Sequence, residues 1–204
     1  MLQFDYDAVI LADGDFPTAE VPLRMLQEAS YIVCCDGVAR HIPLLPPQAT
    51  VVIVGDGDSV PDELRHRLIR IDEQDDNDLT KATRHCMEKG CRRIAYLGAT
   101  GRREDHTLGN MALMARYRHD FSLDVLMATD HGWLVPAADA TTFCAFRGQQ
   151  VSIFNLSCTA LRSEGLKWQA YPYRQLWQGT LNEAQADSFS IDGNGEYLVF
   201  RTYA

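Results

Sequence analysis

Short apolar segments alternate with amphipathic segments through the first two thirds of this 204-residue chain. Six of the apolar segments are rich in Val, Ile and Leu and are bounded by Gly, Asp or other polar residues, which is typical of buried strands. They span residues 8–12, 31–35, 51–54, 68–71, 94–97 and 123–127. Apolar side chains at helical spacing occupy residues 18–29, 78–89 and 105–116. The alternation predicts a parallel sheet with helices on its faces.

The pattern changes near residue 131. Residues 141–146, 150–156, 188–191 and 196–202 are short, alternating segments separated by Gly or Asn, as in antiparallel sheets. We therefore predict an α/β domain over residues 1–130 and a smaller all-β domain over residues 131–204. A core of that second size is small, so we expect the second domain to pack on the first or on another subunit.

The charge of the chain is unevenly distributed. Nineteen basic and 28 acidic side chains give a net charge of −9. Residues 55–78 hold three basic and nine acidic side chains, whereas residues 79–118 hold nine and three. Because affinity for a phosphate backbone depends on Lys and Arg, the overall acidity argues against binding of nucleic acids.

Two further features indicate the compartment. The first residues are acidic where a signal peptide is basic, and no apolar run approaches the roughly 20 residues of a membrane span. The six cysteines form no CxxC pair, which favours buried thiols over disulfides or a zinc site. We expect a cytoplasmic protein that does not bind membranes.

Ligands of parallel sheets bind at the carboxyl ends of the strands, so the loops that follow the strands are the candidate sites. The third predicted strand ends in Gly55-Asp56-Gly57-Asp58-Ser59. Two carboxylates at this spacing repel each other unless a cation lies between them, although a solvated acidic turn has the same sequence. After the fourth strand, residues 72–78 carry five carboxylates, more than the cap of one helix requires. A second group of Mg²⁺ ligands is plausible there.

The loop after the fifth predicted strand is glycine-rich and basic, and it reads Gly98-Ala99-Thr100-Gly101-Arg102-Arg103-Glu104-Asp105-His106. Backbone N–H groups before a helix and arginine side chains are donors for phosphate. The loop is neither GxxxxGK[ST] nor GxGxxG. A lone histidine such as His106 is more often structural than catalytic. An acidic metal site beside a basic phosphate site suits phosphoryl transfer.

Taken in order, these motifs resemble those of the thiamine pyrophosphokinase family. The resemblance is carried by Asp36-Gly37, Gly55-Asp56-Gly57-Asp58-Ser59, Gln74-Asp75-x-x-Asp78-Leu79-x-Lys81, Gly98-Ala99-Thr100-Gly101-x-Arg103-x-Asp105-His106 with Asn110, Gly165-Leu166-Lys167-Trp168, and Gly179-Thr180-x-Asn182-Glu183. It implies an N-terminal three-layer α/β nucleotide-binding domain, a C-terminal antiparallel β-sandwich, and a homodimer with active sites at the interface. It also implies a Mg²⁺-dependent reaction of ATP with thiamine that gives AMP and thiamine diphosphate.

The resemblance also implies residue roles. Asp56, Asp58 and Asp78 correspond to the metal ligands and, together with Asp105, to the catalytic group. The residues that correspond to the ATP and phosphate site are Asp36, Gly37, Lys81, Gly98, Thr100, Gly101, Arg103 and His106. The residues that correspond to the thiamine site are Gln74, Trp168 and Asn182, with Trp168 stacking on thiamine from the other subunit. Trp133 and Trp177 lie outside the motifs and are expected to be packing residues.

The chain departs from the family pattern at Arg102, Glu104 and Leu181, where the family usually has glycine, an apolar residue and serine. Arg102 could add a phosphate contact, Glu104 could face solvent, and Leu181 removes a hydroxyl from the expected thiamine pocket. Two alternatives remain open. One is a pyrophosphokinase for another small alcohol such as a pterin, and the other is a non-catalytic nucleotide-binding sensor on the same fold.

Overall fold

The computed structural model describes residues 5–73 and 75–204. Its first part contains six parallel strands in the order β4-β3-β2-β1-β5-β6. Their bounds are β1 Ala8–Leu11, β2 Tyr31–Cys35, β3 Thr50–Gly55, β4 Leu68–Arg70, β5 Arg93–Leu97 and β6 Asp124–Ala128. The predicted parallel sheet is confirmed, with strand ends that differ from the prediction by at most one residue.

Three α-helices connect these strands, and they are α1 Glu20–Glu28, α2 Asp78–Glu88 and α3 Glu104–Phe121. Two 3-10 helices, Asp36–Leu44 and Asp62–Arg67, follow β2 and precede β4. Helix α3 continues five residues beyond the predicted end, as far as Phe121, because Tyr117 and Phe121 stack and remain in the core.

Successive residues of each strand point to opposite faces of the sheet, and each face packs against helices. In β1, Ile10 packs in the core that α2 and α3 cover. Its neighbour Leu11 packs in the opposite core, to which α1 contributes Met25 and Leu26. The three-layer α/β arrangement is confirmed.

The second part is antiparallel and continues the same sheet. Strand β7, Gly132–Cys144, pairs with β6 on one side and with β11, Ser188–Thr202, on the other. The remaining strands are β8 Gln150–Asn155, β9 Leu161–Glu164 and β10 Asn182–Glu183, with a 3-10 helix at Leu176–Gly179. A separate core of apolar side chains fills this part. The structure is that of an α/β domain with a β-sandwich, while the division at residues 130 and 131 stays a prediction.

The two long strands of this part differ from the sequence prediction, and β9 and β10 lie in segments for which no strand was predicted. Residues 132–140 were not expected to be extended, because the start of β7 is buried on both faces and therefore lacks the alternation of a half-exposed strand. The segments 188–191 and 196–202 form one strand, β11, whose register shifts between Asp192 and Glu196. The sequence at this register shift is polar, and for that reason it suggested a break between two separate strands.

In the described part of the chain, no helix combines the length and the apolar character that a membrane span requires.

Asp7 joins the start of β1 to the start of β5. One carboxylate oxygen accepts hydrogen bonds from the backbone N–H groups of Arg92 and Arg93 at 2.8 and 2.9 Å, and the other accepts from the Arg93 guanidinium at 2.8 Å. These donors, the backbone N–H groups first, lower the pKa of Asp7 to about 2. The carboxylate therefore stabilises the fold only when it is charged.

We predict that Asp7→Asn lowers the free energy of unfolding by about 1 kcal/mol at neutral pH, after allowance for the partial exposure of the carboxylate. Since the folded pKa lies below that of the unfolded chain, this contribution is present above about pH 4 and is lost as the pH falls towards 2. Urea titrations between pH 2 and 7 measure both effects. Asp5→Asn is the control, because Asp5 is exposed and lies 3.7 Å from Arg93; equal losses in the two variants would contradict the prediction.

Candidate active site

A cavity of about 500 Å³ opens at the carboxyl edge of the parallel strands. The loops that follow β1, β2, β3 and β5 meet there, together with the first turns of α2 and α3. The lining residues that carry the chemistry are Asp13, Asp36, Gly37, Asp56, Asp58, Ser59, Asn77, Asp78, Gly101, Arg102, Arg103, His106 and Asn110. The sheet thus brings together side chains from segments almost 100 residues apart in sequence.

The loops after β1 and β5 are fastened to each other by their backbones. The N–H of Gly14 donates to the Gly98 carbonyl at 2.7 Å, and the N–H of Asp15 donates to the Thr100 carbonyl at 2.8 Å. A Cβ atom on Gly14 would lie 2.2 Å from the Thr100 oxygen, so this approach requires glycine. The Asn110 amide donates to the Ala99 carbonyl at 2.9 Å and fixes the β5 loop to α3.

Asp36 is buried at the end of β2 and orders the acidic loop after β3. One of its oxygens accepts from the N–H of Gly57 at 2.9 Å and from that of Ser59 at 3.5 Å. The other oxygen is buried and accepts no hydrogen bond within the described structure. Burial, and next the neighbouring Asp56, raise the pKa of Asp36.

The three predicted metal ligands line this cavity. Hydrogen bonding, first from the N–H of Asp58 at 3.1 Å, lowers the pKa of Asp56. Burial raises the pKa of Asp78 against the effect of Lys81, whose buried ammonium lies 3.8 Å away. Lys81 itself does not line the cavity but lies behind Asp78 in α2.

The chemistry of this set suits a hard divalent cation. Carboxylate oxygens are the preferred ligands of Mg²⁺, and the unpartnered oxygen of Asp36 adds negative potential beside Asp56. Among residues 5–73 and 75–204, no three His, Cys, Asp or Glu side chains converge as a metal cluster. That arrangement still fits Mg²⁺, which binds one or two protein carboxylates and takes its other ligands from water and substrate phosphates.

The basic side of the cavity is formed by the residues that precede and begin α3. Gly101, Arg103 and His106 line it. Asp105 does not, because it forms two hydrogen bonds with the Arg103 guanidinium at 2.6 and 3.1 Å. This pairing lowers the pKa of Asp105.

Gly37 lies beside Asp13, and Gly98 and Thr100 serve mainly as backbone. A Cβ atom on Gly37 would lie 2.4 Å from a carboxylate oxygen of Asp13. Gly98 adopts a φ of +62°, which allows its loop to turn. Gly98 and Thr100 line a separate cavity of about 110 Å³ instead of the main one.

Asp13 was missed by the sequence analysis. It forms ion pairs with Arg40 at 2.5 Å and with Arg102 at 2.7 Å, and Arg102 also donates to the Asp13 carbonyl at 2.9 Å. Asp13 follows β1 in the sequence Ala12-Asp13-Gly14, so the rule applied to the other strand ends would have found it. Arg102 adopts a φ of +57° and lines the cavity.

Trp168 and Asn182 lie outside the cavity of this chain. The Asn182 side chain is buried, accepts from the backbone N–H of Trp168 at 3.1 Å and donates to the Trp168 carbonyl at 2.7 Å. The Trp168 ring is 54% exposed and has the Lys167 ammonium 4.7 Å from its centre. Asn182 therefore fixes the backbone that presents an exposed tryptophan.

The structure confirms some of the remaining predictions about single residues and contradicts one of them. Trp133 is buried, as expected, but Trp177 is 69% exposed, so its assignment as a packing residue was wrong. Glu104 is exposed in the first turn of α3. Leu181 is exposed with a φ of +63°. Gln74 lies outside the described residues.

Several solved structures share this fold. A thiamin pyrophosphokinase family protein from Enterococcus faecalis is 19% identical, with a TM-score of 0.76 over 97% of this chain and 99% of that one. Thiamin pyrophosphokinase from Geobacillus thermodenitrificans is 23% identical, with a TM-score of 0.73 over 97% of both chains. The enzyme from Candida albicans is 17% identical, with a TM-score of 0.75 over 97% and 90%.

Comparison with protein families gives a more specific result. No curated protein sequence matches the chain. The catalytic domain of thiamin pyrophosphokinase matches residues 23–127, which is more than half of the chain. The substrate-binding domain of thiamin pyrophosphokinase matches residues 132–200. The chain therefore belongs to the thiamin pyrophosphokinase family.

Proposed function

We propose that this protein is a Mg²⁺-dependent thiamine diphosphokinase, which transfers pyrophosphate from ATP to thiamine and releases AMP. The observation that carries the proposal is the 500 Å³ cavity, where three aspartates and a basic, glycine-rich loop face each other in a chain of this family. Such an arrangement suits a reaction in which catalysis is mostly positioning and charge neutralisation.

In the proposed reaction, the hydroxyl oxygen of thiamine attacks the β-phosphorus of ATP. The bond from that phosphorus to the oxygen shared with the α-phosphate breaks, and AMP leaves with the bonding electrons. Asp105 orients the hydroxyl and accepts its proton. Because Arg103 now holds both oxygens of Asp105, this role requires Arg103 to exchange Asp105 for a phosphate oxygen. The exchange would supply positive charge to ATP and make Asp105 a stronger base.

Asp56, Asp58 and Asp78 would supply the one or two carboxylate ligands of Mg²⁺, which when bound neutralises the polyphosphate. Asp36 supports this group, because it holds the N–H groups of the loop that carries Asp56 and Asp58. Lys81 lies behind Asp78, with its side-chain nitrogen 3.8 Å from that carboxylate. The remaining residues assigned to the ATP and phosphate site are Gly37, Gly98, Thr100, Gly101 and His106.

For thiamine, we propose a site completed by a second copy of the chain. Trp168 would stack on the thiamine rings, Asn182 would hold Trp168 in place, and Gln74 would contact thiamine from the α/β domain. Support comes from the surface between residues 168 and 181, which exposes apolar side chains that a partner could cover. They are Trp168, Tyr171, Leu176, Trp177 and Leu181. A homodimer follows from this arrangement.

We predict AMP release that depends on thiamine and Mg²⁺ together. Chromatographic measurement of AMP, ADP and thiamine diphosphate tests the reaction directly. Formation of ADP would contradict pyrophosphate transfer. AMP release with a pterin alcohol but not with thiamine would establish the first alternative, and nucleotide binding without turnover would establish the sensor.

We predict that Asp58→Asn lowers kcat by about 100-fold or more, because it removes charge that holds the metal at the polyphosphate. Asp62→Asn is the matched control, since Asp62 is exposed, pairs with Arg65 at 2.9 Å and does not line the cavity. Steady-state kinetics over a range of Mg²⁺ concentrations measures the difference. Equal activity in the two folded variants would refute the metal assignment.

We predict that Trp168→Ala raises the KM for thiamine by about 5- to 30-fold through loss of stacking. Leu156→Ala is the control and should change it little, because Leu156 is an exposed apolar side chain outside residues 168–181. Mixing Asp58→Asn and Trp168→Ala subunits tests the shared site, because a mixed dimer then contains one intact site. At thiamine concentrations well below the wild-type KM, where dimers of either variant have little activity, remixing should restore about a quarter of wild-type activity; no recovery in confirmed mixed dimers would place both residues in one chain's site.

A further inference from the structure

A second cavity, of about 580 Å³, shares no lining residue with the first. It lies between the antiparallel strands and the beginning of α1. Strand β7 bends so that both of its ends reach the cavity, with Trp133 from one end and Phe143 from the other. Gln149 before β8 and Arg201 near the end of β11 complete its polar wall.

Four polar atoms in this wall are buried and have no hydrogen-bond partner in the described structure. Three are donors, namely Trp133 Nε1, Arg201 Nε and the Tyr203 hydroxyl, and the fourth is the acceptor Gln149 Oε1. Gln149 is held in this orientation because its Nε2 donates to the Thr202 carbonyl at 2.7 Å. Buried polar groups are nearly always paired, since an unpaired one loses its interactions with water without compensation.

Arg201 is the most unusual member of the group, because it is a cation that is 91% buried and has no carboxylate partner among the described residues. Its Nη1 donates to the Cys144 carbonyl at 2.8 Å. Its guanidinium carbon lies 4.9 Å from the centre of the Trp133 ring and 5.2 Å from that of Phe143. Desolvation lowers the pKa of Arg201 to about 10. Glu20 lines the cavity as well, but its exposed carboxylate lies 3.9 Å from Arg24.

We propose that this second cavity binds a small aromatic anion. The anionic group, a carboxylate or a phosphate, pairs with Arg201 and accepts from the donors of Trp133 and Tyr203. The ring packs against the aromatic side chains, and a hydroxyl or amino group on the ring donates to Gln149 Oε1. Such a ligand satisfies the acceptor and donors together, and arginine is the residue best suited to a planar, two-oxygen anion.

Calorimetry with 4-hydroxybenzoate tests the proposal, with 4-hydroxyphenyl phosphate as the phosphate arm and 4-hydroxybenzyl alcohol as the neutral control. We expect one site per chain and at least tenfold weaker binding of the alcohol than of the preferred anion. The anion that binds more tightly identifies the anionic group as a carboxylate or a phosphate. Arg201→Met should weaken binding of the preferred anion at least tenfold. Arg162→Met should not, because Arg162 is exposed, pairs with Asp192 at 2.5 Å and lies outside the cavity.

A second measurement needs no variant. Cys144 lines the cavity and is exposed, whereas the other five cysteines are buried, so iodoacetamide should label Cys144 selectively. The bound anion should slow this labelling at least fivefold, and ATP with Mg²⁺ should leave both protection and affinity unchanged. Lack of binding at millimolar anion, displacement by ATP, unaltered affinity in folded Arg201→Met, or unprotected Cys144 would each overturn the proposal.

Discussion

The backbone contact between the loops after β1 and β5 is the constraint on which the candidate active site depends. In the strand order β4-β3-β2-β1-β5-β6, the chain leaves β1 towards β2 and returns on its other side as β5, which creates a crevice between the two strand ends. The hydrogen bonds of Gly14 and Asp15 to the β5 loop set the depth of that crevice. They also hold Asp13 on one wall and the basic turn on the other. A side chain at residue 14 would separate the walls. The site therefore requires glycine at this residue as well as its carboxylates.

The arginines of this site are engaged by carboxylates of the same chain. Arg102 and Arg40 are engaged by Asp13, and Arg103 is engaged by Asp105. Across the cavity, burial, and next the neighbouring Asp56, raise the pKa of Asp36. Mg²⁺ with a polyphosphate would satisfy both sides at once, because it supplies cations to the aspartates and anionic oxygens to the arginines. In the proposed function, the acidic segment of the sequence therefore contacts the metal, and the basic segment contacts the polyphosphate of the same ligand.

Sequence reasoning predicted the parallel sheet and the position of the cavity, because buried parallel strands have a continuous apolar signature and ligands bind at their carboxyl ends. It failed at residues 132–140 for a related reason, since burial on both faces removes the alternation that identifies antiparallel strands. It predicted Asp56 and Asp58 from a local spacing, whereas Asp13 acts through partners 27 and 89 residues away. It could not foresee that Arg103 pairs with Asp105, because charges two residues apart pair only in a particular loop geometry.

The unpaired buried polar atoms of the described residues divide between the two cavities, and the division separates two kinds of site. In the first cavity the unpaired atom is a carboxylate oxygen of Asp36, whereas in the second the atoms are three donors and one acceptor around a cation. A carboxylate oxygen and a guanidinium nitrogen that both lack a partner call for ligand atoms of opposite charge, so the two cavities cannot be satisfied by the same group. Water alone could pair the neutral atoms, but it cannot neutralise the Arg201 guanidinium between two aromatic rings. The second cavity therefore has its own recognition chemistry, one that the reaction proposed for the first does not use.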